Sequence, residues 1–183
     1  RNEERDIDAT IRAHLRQQYR NIELILVDDQ SSDGTAAVAT AAGEGDPRLR
    51  VVSGGPLPAE WVGKSWACHQ GVALATGEWL LFSDADVVHA PDALGRCLAL
   101  ARRLDRGGLT LAPRVDTGSV AERIVMPAAI QLIQTMVAPG PLARWQRAPV
   151  TMAAGAYLLV RRDIYDAVGG HSSIAHHMVD DLS

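Results

Sequence analysis

Ile22-Glu23-Leu24-Ile25-Leu26-Val27, then Asp28-Asp29-Gln30-Ser31-Ser32-Asp33-Gly34-Thr35, then the alanine-rich residues 36–42: this stretch decides the fold. A short apolar run bounded by turn residues reads as a buried strand. The crowd of Asp, Ser, Gly and Thr behind it is the chemistry of a polar loop and a helix start, and the alanines continue the helix. Strand, polar loop and helix in that order form the repeating unit of an α/β sheet.

The unit recurs in both directions. Upstream, Ile7, Ile11 and Leu15 stand at spacing four among charged residues of 4–18, the pattern of a helix with one apolar face. Downstream, Leu49–Ser53 reads as a second strand, 54–63 as a Pro/Gly loop and Ser65–Ala75 as a helix. Glu78–Ser83 is a third strand, ending in Asp84-Ala85-Asp86, and Pro91 opens a helix whose Leu94, Leu98, Ala101 and Leu104 share a face. Residues 109–113 and 152–160 read as further strands, 163–168 as a short helix and Gly169-Gly170 as a turn. The alternation predicts an α/β fold with a mostly parallel central sheet flanked by helices, and ligands in such sheets collect beyond the carboxyl ends of the strands. Ser119 and Glu122 have capping-box spacing ahead of an apolar segment, 120–138, which needs cover from the core or from a membrane interface.

At 183 residues, 47% hydrophobic and 22% charged, the chain has material for one domain with a full core and is not intrinsically disordered. A net charge of −4 excludes a broadly basic nucleic-acid binder. No apolar run reaches the length of a membrane span. The chain begins at Arg1 without methionine and stops at Asp180-Asp181-Leu182-Ser183 with no closing element, so 1–183 reads as one domain cut at both ends from a longer protein. Cys68 and Cys97 are too few for a disulfide framework, which favours a reducing compartment. Of the 18 basic residues only Lys64 is lysine, which singles it out.

Two acidic pairs follow strands. Asp84 and Asp86 bracket one residue, and strand alternation would aim both carboxylates the same way, as hard oxygen ligands for Mg²⁺ or Mn²⁺. Asp28 and Asp29 hold the equivalent place after Val27, where capping a turn is the competing role. Close acidic pairs repel unless a cation or a donor-rich ligand joins them. Gly63-Lys64-Ser65 is not a Walker loop, because Pro58 stands where that pattern needs glycine, yet a lysine at a helix start can neutralise a phosphate. Asp180 and Asp181 follow His171, His176 and His177 without zinc-ligand spacing, and one of the two aspartates suits a general base.

The ordered set Arg1-Asn2-Glu3-Glu4, Val27 to Thr35, Gly63-Lys64-Ser65-Trp66-Ala67, Ser83-Asp84-Ala85-Asp86 and Asp180-Asp181-Leu182 resembles family 2 glycosyltransferases of the GT-A fold. Within that family, Pro56-Leu57-Pro58, Trp61, Gly63-Lys64, Trp66-Ala67 and Gln70-Gly71 look like the hopene-associated members, relatives of ceramide glucosyltransferase. The resemblance implies inverting transfer of a sugar from a nucleotide-diphospho-sugar, commonly a UDP-sugar, to a lipid or hopanoid-type hydroxyl. It implies that Arg1, Asn2 and Glu3 lie beside the nucleotide, that Asp28 and Asp29 contact base and ribose, and that Lys64 sits near the diphosphate. Asp84 and Asp86 match the metal motif, with Asp84 also on the donor side, and Asp181 matches the catalytic base, Asp180 replacing the family's usual glutamate.

The expectation is therefore a divalent-metal-dependent hexosyltransferase acting on a lipid acceptor, with no nucleic-acid partner, at the cytoplasmic face of a bacterial inner membrane. A different class, a nucleotide-sugar or lipid-binding module of the same fold without catalysis, would keep metal-dependent donor binding and lack transfer. A sugar nucleotidyltransferase would need a glycine-rich basic triphosphate loop near the N-terminus, which the sequence does not contain.

Overall fold

The spacing-four stripe folds as α1 (Ile7–Leu15), which buries Ile7, Thr10, Ile11 and His14. In the computed structural model the described residues are 1–111, 118, 119, 123, 125 and 155–175. The chain continues through β1 (Leu24–Asp28), α2 (Thr35–Ala42), β2 (Leu49–Ser53), α3 (Gly63–Leu74), β3 (Trp79–Phe82), α4 (Ala93–Arg103) and β4 (Gly108–Thr110). After the segment that is not described come β5 (Leu158–Arg161), α5 (Arg162–Ala167) and a 3₁₀ helix (Gly170–Ile174). The apolar segment 120–138, apart from Arg123 and Val125, lies outside the described residues, as do 112–113 and 152–154 of the expected strands.

β1 and β2 pair in parallel from Leu24 opposite Leu49 to Asp28 opposite Ser53. The two faces of β1 are both covered, which is why its sequence is a continuous apolar run. Leu24 and Leu26 join Leu49 and Val51 against the cluster of Ile7, Ile11, Ala39 and Ala42 beneath α1 and α2. Val27 points the other way, its Cγ2 3.5 Å from where a Cβ on Gly71 of α3 would stand. Ile7 and Ile11 are 1% and 2% exposed, so each contributes about 2–3 kcal/mol by removal of its side chain from water.

The second sheet has the order β3-β5-β4. β5 is antiparallel to both neighbours, so β3 and β4 run in the same direction and β5 is the exception to the expected parallel pairing. α4 covers this sheet, with Leu94, Cys97 and Leu98 packed on Tyr157 and Leu159. Leu104 departs from the expected face: the helix ends at Arg103, and Leu104, its C-cap, is 54% exposed. Cys68 and Cys97 form no disulfide with each other.

One buried amide ties the two layers together. Gln17 is 1% exposed; its Nε2 donates to the Ala90 carbonyl at 2.7 Å, and its Oε1 accepts from the Leu94 amide at 3.1 Å. The end of α1 is thereby fixed to the start of α4. After α5, Gly169 and Gly170 have φ of 82° and 53°. A Cβ on Gly170 would lie 2.5 Å from the Tyr165 ring, so both the conformation and the contact require glycine.

Candidate nucleotide-sugar site

The polar loop after β1 is held by the N-terminal segment. Asn2, at φ 60°, donates its N–H to Ser31 Oγ at 3.0 Å, and its Oδ1 accepts from the Ser32 amide at 2.9 Å. The Glu3 amide donates to Thr35 Oγ1 at 2.9 Å, and the Glu4 carboxylate accepts from the Gly34 amide at 3.1 Å. Asp33 accepts from both the hydroxyl and the amide of Thr35, and the hydroxyl is the main reason its carboxyl is held below the usual range. Asn2 and Glu3 thus reach the loop, but through bonds that shape it. Arg1 is exposed at the start of the same segment.

The two aspartates at the end of β1 divide the roles that their sequence position left open. Asp28 shapes the turn: its Oδ1 accepts from the Ser31 amide at 3.4 Å, and its carbonyl accepts from Gln30 at 2.9 Å and Gly54 at 2.8 Å. Asp29 turns instead toward the N-terminus of α3, its Oδ2 2.8 Å from the point where a Cβ on Gly63 would be. A side chain at 63 would collide with that carboxylate, so Gly63 is what lets β1 and α3 approach.

From the next residue, Lys64 Nζ reaches Asp84 Oδ1 at 3.2 Å, across from α3 to the loop after β3. Both side chains are partly exposed, 46% and 36%, so the pair is open to rearrangement by a ligand. The loop ahead of α3 is pinned at Gly55. Its amide donates to Gln70 Oε1 at 2.7 Å, and its carbonyl accepts from Trp66 Nε1 and Gln30 Nε2, each at 3.3 Å. Beside this anchor Trp61, Trp66 and His69 pack together with ring centroids 4.9–5.5 Å apart, Trp66 and His69 stacked and Trp61 edge-on to Trp66.

β3 ends at Phe82, before the acidic pair, so strand alternation does not orient Asp84 and Asp86. The residue between them does: Ala85 packs on the Ile7, Ile11, Ala39 and Ala42 cluster, and the loop turns around it with Asp86 exposed. Among the described residues no group of three or more His, Cys, Asp or Glu side chains converges. The donor set is two carboxylates in one loop. That fits Mg²⁺ or Mn²⁺, which keep water ligands and take further oxygens from a phosphate, better than a closed protein cage of the zinc type. His171 is buried and bonded through Nδ1 to the Tyr165 hydroxyl at 2.7 Å, a structural role. Asp180, Asp181, His176 and His177 lie outside the described residues.

The structure thus brings Asp29, Lys64 and Asp84 to the start of α3, with Asp28 beside Asp29 in the turn after β1. Glu4, Gln30 and Gln70 stand in the sequence only as parts of motifs and His89 is unmarked there, because each acts on a backbone group or side chain far along the chain. A lone polar residue carries no local mark of such a partner.

An α/β sheet of this kind, with acids after two strands and a lysine at the helix start between them, is the GT-A glycosyltransferase fold. The sequence profile described as "Glycosyl transferase family 2" matches residues 1–169, and the chain belongs to that family. It is 27% identical over 188 residues to a 4,4'-diaponeurosporenoate glycosyltransferase of Staphylococcus haemolyticus, covering 100% of this chain and 48% of that protein. The corresponding Staphylococcus aureus enzyme is 30% identical over 183 residues, covering 98% and 47%. The chain spans about half the length of these relatives. Among solved structures, a mannosyltransferase of Pyrobaculum calidifontis in complex with GDP-Man and Mn²⁺ superposes with a TM-score of 0.67 at 23% identity, covering 92% of this chain and 44% of that one. A glucosyl-3-phosphoglycerate synthase of Mycobacterium tuberculosis, in complex with UDP, gives 0.50 at 24% identity, covering 89% and 54%.

Proposed function

We propose that this chain is the catalytic domain of an inverting glycosyltransferase that moves a sugar from a nucleotide-diphospho-sugar, a UDP-sugar by our reading, to a lipid acceptor. The observation that carries the reading is the Lys64–Asp84 contact, which joins the start of α3 to the acidic loop after β3. A departing nucleoside diphosphate needs positive charge, and a helix N-terminus with a lysine supplies it. Asp84 and Asp86 would hold a divalent cation there, and the cation would stabilise the leaving diphosphate electrostatically.

On arrival of the donor, Lys64 leaves Asp84 and turns to a diphosphate oxygen. Because that ion pair is partly exposed, the exchange is inexpensive. Asp29, against Gly63, and Asp28, at the end of β1, stand where the base and ribose would lie, with Arg1, Asn2 and Glu3 behind them. Asp181 takes the proton from the attacking hydroxyl, so that displacement occurs in one step with inversion, and Asp180 precedes it in place of glutamate. The relatives' naming for diaponeurosporenoate supports a lipid acceptor, and the hopene-associated resemblance points the same way. Action at the cytoplasmic face of a membrane belongs to this reading. Among the described residues no helix is long and apolar enough to cross one.

The test is calorimetric titration of UDP-glucose, UDP and GDP into the protein with Mn²⁺ and then with EDTA, repeated on Asp86→Ala. Binding of one nucleotide that needs Mn²⁺ and disappears in the variant is the expected result. Nucleotide binding indifferent to EDTA and to the substitution would remove Asp86 from the site.

A further inference from the structure

The loop that presents Asp84 and Asp86 is held at Ala85 by the α1 and α2 cluster and at Asp84 by Lys64, while Asp86 and Val88 are exposed. Residues outside regular structure lose conformational freedom when they are ordered, and two carboxylates on such a loop would meet a cation at that entropic cost. Yet both ends of the loop are joined by side chains. His89 Nε2 lies 3.2 Å from Ser83 Oγ, and Ser83 Oγ is 3.1 Å from the Asp84 carbonyl.

His89 itself is fixed from several sides. It is 8% exposed, and its ring centroid is 4.6 Å from that of His14 of α1, which it meets edge to face, and 4.9 Å from that of Tyr157. The imidazole therefore joins the loop's two ends to α1 and to the approach to β5. Gln17, just beyond the end of α1, holds the next residue by donating to the Ala90 carbonyl.

We infer that His89 is a positioning residue for the acidic loop: through its bond to Ser83 it closes residues 84–88 into the conformation that offers both carboxylates to a divalent cation. The inference rests on the metal role given above to Asp84 and Asp86. Groups that hold metal-ligating side chains in place typically change metal affinity by about 10–100-fold when removed.

The experiment compares the chain with His89→Phe, which keeps an aromatic ring but no hydrogen bond, with Ser83→Ala, which removes only the partner hydroxyl, with His89→Gln as the conservative variant, and with Asp86→Ala. Mn²⁺ alone is titrated and free ion is followed by electron paramagnetic resonance, and amide hydrogen exchange of 84–88 is measured without metal. The expected result is faster exchange in 84–88 and Mn²⁺ affinity at least about tenfold weaker in both His89→Phe and Ser83→Ala, with partial recovery in His89→Gln. Ser83→Ala, a small change at a half-buried site, keeps the test decisive if His89→Phe does not fold. Unchanged exchange, or faster exchange with unchanged Mn²⁺ affinity while Asp86→Ala loses the ion, overturns the inference alone. Mn²⁺ affinity indifferent to Asp86→Ala overturns the metal reading and, with it, the role of His89.

Discussion

His14 offers a quantitative test of the packing between α1 and the acidic loop. It is 8% exposed, and burial, reinforced by the neighbouring His89, lowers its pKa from 6.5 to about 4. The folded chain therefore refuses a proton that the unfolded chain accepts as the pH falls below 6.5. Stability declines through the window from 6.5 to about 4 and levels off below it. The full shift corresponds to about 3 kcal/mol, most of which is already lost at pH 4.5. In His14→Leu this loss disappears. Urea unfolding followed by circular dichroism at pH 7.5 and 4.5 should show wild type weakened between the two by about 2–3 kcal/mol more than the variant. His89, also lowered, mainly by burial, contributes in the same direction and is present in both proteins. Carboxylates do not confuse the comparison. Asp46, which hydrogen bonds from Arg48 hold at about 2, contributes stability that is lost only as the pH falls below 3.8. Equal losses in wild type and His14→Leu would refute the assignment of a neutral, buried His14.

Lys64→Ala should leave the thermal midpoint within about 4 °C of wild type, because an exposed pair contributes about 0–1 kcal/mol, while weakening binding of the preferred nucleoside diphosphate by about tenfold or more. Calorimetry with parallel melting curves separates the two effects, and a stability loss without an affinity loss would make Lys64 structural. Gln17→Leu should cost about 2–3 kcal/mol in urea unfolding, since the Ala90 carbonyl and the Leu94 amide lose a buried partner. A cost near zero would show that water or a local shift replaces the amide. Gly170→Ala should destabilise by about 1–3 kcal/mol through its positive φ and the collision with the Tyr165 ring. A change in the near-ultraviolet signal of tyrosine would report release of Tyr165 from His171, and wild-type stability and spectrum together would deny the contact.

The difference between what the sequence shows and what it hides follows the range of the interactions involved. Leu49–Ser53 was legible to the residue, and α1, α2 and β1 nearly so, because periodicity and turn chemistry are local and here agree with burial. The antiparallel placement of β5 depends on which distant strands it meets, Trp79–Phe82 and Gly108–Thr110, and neither strand writes its direction in its own residues. The acidic loop shows both cases within six residues. Asp84 and Asp86 are visible as a motif, since their chemistry is carried by type and spacing. Their orientation follows from Ala85 reaching back to α1 and from His89 reaching across to Ser83, which no strand rule could supply once the strand had ended at Phe82. Ligand-contacting groups at such a site must be of particular chemical types, so a sequence exposes them. The groups that aim them need only fill a gap with a donor or acceptor at the right point, and only the fold shows where that point is.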